Sequence, residues 1–98
     1  MKKAVELAKF KLGSGVNVDE FLKASTNFGE KFVKTQPGFV SRQLIADSDG
    51  IWADLVIWES MEAARAVETA MHQSEYAGQY MSFLDPTSVV IEHYCVEQ

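Results

Sequence analysis

Apolar residues alternate with polar ones through AVELAKFKL (4–12), stop at the Gly13-Ser14-Gly15 turn, and return at helical spacing from Val18 onward. Asn17 opens that helix as an N-cap with Glu20 three residues on, and Val16 is placed to pack on Phe21. Val18, Phe21, Leu22, Phe28, Phe32 and Val33 form its apolar stripe, and Pro37-Gly38 ends it. Two strand patterns follow, FVSRQLIA (39–46) and IWADLVIW (51–58), joined by the turn DSDG (47–50). Ser60 caps a second helix with a stripe of Ala63, Ala64, Val67 and Met71. His72-Gln73-Ser74 breaks and re-caps it, and Tyr76, Tyr80, Phe83 and Leu84 continue at helical spacing until Asp85-Pro86. SVVIEHYCV (88–96) is the last strand.

The order strand, helix, strand, strand, helix, strand predicts an α+β fold of the ferredoxin-like βαββαβ type, a four-stranded antiparallel sheet with both helices on one face. A chain of 98 residues supports one domain, 1–98, burying roughly 60 to 70% of its unfolded surface. In such a sheet the face away from the helices is polar in a monomer. Here each strand is apolar on both parities. In the third strand Ala53, Leu55 and Ile57 form a clean face, and Trp52, Asp54, Val56 and Trp58 share the other. An uncovered face of this kind marks an interface. The expectation is a homodimer in which a second copy covers the face carrying Trp52, Val56 and Trp58.

Charge and composition narrow the partners. A net charge of −5 argues against nucleic acid or an anionic membrane surface, which both select basic patches. No apolar run approaches the roughly 20 residues of a membrane span, and Glu6, Lys9 and Lys11 interrupt any export segment near the start. One cysteine, Cys95, cannot form an intrachain disulfide, and a thiol in an apolar run suits the reducing cytoplasm.

The arrangement of QPGF (36–39), the strand ending IWES (57–60) and SEY (74–76) resembles the antibiotic-biosynthesis-monooxygenase-like family, over roughly Val5 to Val96. The resemblance implies a dimeric α+β barrel, two ferredoxin-like sheets packed face to face, with a pocket between each sheet and its helices. It also implies a range of activities, from cofactor-free oxygenases of aromatic polyketides to haem-degrading enzymes, alongside many small proteins without assigned activity. Haem is not expected, because the haem-degrading branch takes its axial histidine from the second part of the split helix, where this chain has Tyr80 and Met81.

Polar side chains stranded among apolar ones carry the chemistry, since burying them unpaired costs a few kcal/mol. They are Glu6, Arg42, Gln43, Asp54, Glu92 and His93. On an oxygenase reading, Glu6, Asp54 or Glu92 is the base, with His72 or His93 as the histidine alternative. Trp58 with Tyr76 or Tyr80 holds an aromatic substrate, and Arg42 or Gln43 steadies an oxyanion. On the structural reading Arg42 pairs with a strand carboxylate and Trp58 packs in the core. No metal motif is visible, because His93 and Cys95 form only a bare HxC and His72 is distant in sequence. The expected partner is an apolar or aromatic small molecule and the expected cofactor is none. The alternative is a non-catalytic binding or accessory barrel.

Overall fold

The computed structural model describes residues 2–98. Its elements run β1 (Ala4–Phe10), α1 (Val18–Lys31), β2 (Phe39–Ala46), β3 (Trp52–Trp58), α2 (Met61–Met71), α3 (Glu75–Met81) and β4 (Val90–Cys95). The sheet is antiparallel in the order β2-β3-β1-β4, the ferredoxin-like topology expected from the sequence.

Side-chain caps set the helix boundaries. Asn17 accepts from the Glu20 amide at 3.0 Å, Ser60 from Ala63 at 3.1 Å and Ser74 from Ala77 at 3.2 Å. The helical stripe broken at residues 72–74 is therefore two helices with separate caps. Strand ends are less well marked in the pattern. β1 closes at Phe10, because the Lys11 amide turns to the Ser88 hydroxyl at 2.8 Å. β4 starts at Val90, after a single turn of 3-10 helix over Pro86–Ser88 that Asp85 caps. Gly38 sits at φ 84°, and a Cβ there would lie 2.6 Å from the Ala63 Cβ, so the loop before β2 can close on α2 only with glycine.

The core lies between the sheet and the helices. Phe10, Phe21 and Trp58 are its largest fully buried side chains. Phe21 meets Trp52 edge-on with ring centroids 5.2 Å apart, and Phe28 stacks on Tyr80 at 4.5 Å.

One expectation is overturned. The face of β3 carrying Trp52, Asp54, Val56 and Trp58 is covered by this chain's own helices, and the Ala53, Leu55 and Ile57 face is the open one. The physical reason lies in what the first face must bury. The Asp54 carboxylate needs a hydrogen-bond donor and the Trp52 indole a ring edge at fixed positions, which α3 and α1 supply through Tyr80 and Phe21. Small and branched residues alone make up the β3 part of the other face. Register extends that open face across the sheet through Leu7 opposite Leu55, Val5 opposite Ile57 and Ile45 opposite Ala53.

Candidate functional site

The helix-covered face bears two carboxylates, Glu6 on β1 and Asp54 on β3, and their surroundings differ. Asp54 is 6% exposed and fully engaged. Arg42 on β2 meets it through two parallel bonds, Nε to Oδ1 and Nη2 to Oδ2, each 2.9 Å. Tyr80 on α3 donates its hydroxyl to Oδ2, also at 2.9 Å. The guanidinium reaches on into α1, where Nη1 donates to the Ser25 carbonyl at 2.9 Å and Nη2 to the Ser25 hydroxyl at 3.0 Å. It also lies over the Phe28 ring, 5.1 Å from the centroid. Gly29 makes that approach possible, since a Cβ there would stand 2.7 Å from Nη1.

Burial works against the Arg42 charge, but the hydrogen bonds and charge of Asp54 outweigh it and hold the guanidinium above its ordinary pKa. Burial, followed by the Asp54 charge, pushes the Tyr80 phenol well above the usual tyrosine range. Tyr80 is therefore a neutral donor to Asp54 at any ordinary pH.

Glu6 is less satisfied. It lines an apolar cavity of about 90 Å³ between the sheet and the helices, together with Asp54, Trp58, Tyr80, Phe28 and Glu68. Desolvation raises its pKa, and the nearby Glu68 charge adds to the rise, while His93 and the Trp58 indole oppose it. His93 on β4 places Nε2 3.3 Å from Glu6 Oε2 and 3.5 Å from Glu68 Oε1 on α2. Trp58 is 1% exposed, and its indole N–H lies near enough to favour the charged Glu6, yet among the described residues no acceptor meets it in hydrogen-bonding geometry. A buried donor without a partner is costly and calls for an acceptor.

The sequence candidates thus separate. Glu6, Asp54, Trp58 and Tyr80 come together around the cavity. Arg42 adjoins it through Asp54, and its pairing with a strand carboxylate is the structural alternative read from the sequence. Glu92 lies apart, since β4 parity puts Leu7 opposite it on the open face. There its Oε1 stands 3.3 Å from Lys9 Nζ, a charge contact outside hydrogen-bonding geometry. His72 is an exposed C-cap of α2. Tyr76 packs against the core without lining the cavity. Gln43 is exposed on β2. Cys95, expected buried, is exposed at the end of β4.

Glu68, Ser25 and Gly29 are site residues that the pattern of the sequence did not single out. Glu68 reads as a solvated helix position, and Ser25 and Gly29 read as interruptions of an apolar stripe. The one available signal was Gly29 itself, a helix breaker inside a well-capped helix.

Fold and site together define an α+β protein of the ferredoxin-like class with an acidic, aromatic-walled cavity under its split helix. No protein-family profile and no curated protein sequence matches the chain. Solved structures do. SnoaB, a cofactor-independent oxygenase from Streptomyces nogalater, in a single-substitution variant, superposes with a TM-score of 0.79 at 16% identity over 100% of this chain and 96% of that one. A candidate antibiotic biosynthesis monooxygenase from Caulobacter crescentus gives 0.70 at 21% identity over 99% and 92% of the two chains. A dimeric ferredoxin-like protein of unknown function from Thermobifida fusca gives 0.74 at 14% identity over 97% and 92%. At these identities the likeness is one of fold, the fold of the antibiotic-biosynthesis-monooxygenase-like proteins, and activity must be argued from the site.

Two measurements check the electrostatics. Arg42 and Asp54 side chains are only 11% and 8% exposed, so removing either charge alone, as Arg42→Met or Asp54→Leu, should cost about 3–5 kcal/mol in urea unfolding. The double variant should recover most of that loss, whereas additive losses would deny the coupling.

Glu6 binds its proton more tightly folded than unfolded. That contribution to stability is complete below the ordinary value of 4.5 and is lost as pH rises through the raised folded value. With chelator present, Glu6→Gln should therefore be more stable than wild type at neutral pH, and the difference should vanish near pH 4 and below. An equal difference at both pH values would show that burial of this carboxyl is not felt.

Proposed function

We propose that the protein is a small cofactor-independent monooxygenase acting, as a homodimer, on an electron-rich aromatic or quinol-like molecule. The observation that carries this reading is Glu6, a carboxylate with a raised pKa in an apolar cavity, beside a buried indole N–H that has no acceptor. In the proposed reaction Glu6 takes a proton from the phenolic or activated carbon position. Trp58 donates its free N–H to the substrate oxygen on which negative charge grows. The anion adds dioxygen as a carbon-bound hydroperoxide, the same carbon then loses its remaining proton as the O–O bond breaks, one oxygen stays on it as a carbonyl, and the other leaves as water with the two protons. The substrate supplies all four electrons, so the step needs no external reductant.

In this reading Asp54 is not the base. Its bonds to Arg42 and Tyr80 occupy it, and four bonds from Arg42 to Asp54 and Ser25 commit the guanidinium away from the oxyanion role. Tyr80 and Phe28 remain as the flat wall against which a ring would lie.

One observation favours a second reading, a non-catalytic binding or accessory barrel. The cavity of about 90 Å³ is smaller than the few hundred Å³ typical of sites for drug-sized ligands. An aromatic substrate would have to extend out past Met81 and Ile91, which line the cavity and are half exposed. Oxygen uptake with anthrone and quinol substrates distinguishes the two. Uptake by wild type and its loss in Glu6→Gln by two orders of magnitude or more is expected from a general-base role. No uptake across the panel would leave the binding reading.

The dimer is proposed through the open face. Ile45, Val90 and Tyr94 are about half exposed, and Val5, Leu7, Leu55 and Ile57 continue the apolar surface between them. A second copy of the same face offers apolar cover at about 25 cal/mol per Å². Sedimentation at micromolar concentration should show twice the chain mass, and Leu55→Asp should shift it toward monomer. A wild-type monomer would remove the interface.

A further inference from the structure

We propose that Glu6, His93 and Glu68 form a binding site for a single divalent transition metal of the zinc, cobalt or manganese kind. They come from β1, β4 and α2, and each offers one ligand atom within 4.8 Å of the other two. His93 Nε2 stands 3.3 Å from a Glu6 oxygen and 3.5 Å from a Glu68 oxygen. Two ligands bound tetrahedrally at about 2.0–2.1 Å are about 3.4 Å apart, so the pairs that include His93 need almost no movement to share an ion. One imidazole with two carboxylates selects borderline transition metals over magnesium or calcium, which prefer all-oxygen shells.

The setting supports an ion. Two carboxylates face one imidazole at the edge of an apolar cavity, and without a cation or a proton their mutual repulsion is poorly offset. Glu6 and His93 are held by adjacent strands, paired opposite one another, which fixes two of the three ligands on a rigid frame. An independent sign is the Trp58 indole, 1% exposed, close to the same carboxylate and without an acceptor among the described residues. A three-ligand site keeps an open position for an oxygen ligand, and this N–H is the donor available either to that oxygen or to the second oxygen of Glu6.

The site stands independently of the oxygenase reading. If both hold, metal occupancy withdraws Glu6 from proton transfer, and the ion acts as an inhibitor of that chemistry.

The test is titration of the chelator-stripped protein with Co(II), followed by its visible d–d absorption, and with Zn(II) by calorimetry. Wild type should bind one equivalent per chain with a saturable spectrum of a four- or five-coordinate ion. His93→Gln and Glu68→Gln should each weaken binding beyond the roughly 10- to 100-fold loss that changes outside the ligand shell produce. His72→Gln and Cys95→Ser should leave it unchanged, since both residues are exposed and outside the cluster. The Glu68 side chain is half exposed, so its variant keeps the fold and decides the matter even if His93→Gln does not. Absence of saturable binding in wild type, its survival in Glu68→Gln, or its loss in His72→Gln or Cys95→Ser would each overturn the proposal.

Discussion

A buried pair of opposite charges, Arg42 and Asp54, ties this fold together. It joins β2 to β3 across the sheet, reaches α1 through Ser25 and receives α3 through Tyr80. Two charges taken out of water gain little unless every remaining donor and lone pair is met, and here the partners come from four elements. The surrounding rings follow from that demand. Phe28 and Tyr80 stack on each other beneath the guanidinium, and Gly29 clears the space through which it reaches α1.

The pair also divides the covered face in two. On the α1 side the charge is balanced, and the phenol that completes it is held neutral. On the β4 side Glu6 has His93, the Glu68 carboxylate and an unfulfilled indole near it, and its carboxyl keeps a raised pKa. Two carboxylates two strand positions out of register on adjacent strands thus have different partners, because one has a guanidinium beside it and the other does not. The proposed base and the proposed metal ligands both lie in the second half. The split between α2 and α3 falls over this half, where Glu68, Met71 and Met81 line the cavity.

The likeness to SnoaB and to other small ferredoxin-like proteins concerns the frame. One frame can carry different functions, because function rests on the side chains that form a site and not on the sheet that holds them. In this chain the lining is apolar and aromatic with three carboxylates, and a histidine of the edge strand β4 meets two of them, Glu6 and Glu68.

Local signals in the sequence determined the elements. Asn17, Ser60 and Ser74 cap helices because their short polar side chains reach backbone amides three residues on, which depends on nothing distant. Alternation marked the first strand and runs rich in β-branched and aromatic residues between turn signals marked the others, and their order with the helices led to the topology. The face each strand presents to the helices was decided only by tertiary structure. Both parities are apolar, and the choice rests on which face finds donors for Asp54 and edges for the tryptophans. The same holds for the cluster of Glu6, Glu68 and His93. Its outer members are 87 residues apart, and a side-chain cluster scattered over two strands and a helix leaves no local spacing to read. Pairing of Arg42 with a carboxylate was foreseeable from burial alone, but that Asp54 is its partner, leaving Glu6 free, follows from strand register, which no single strand encodes.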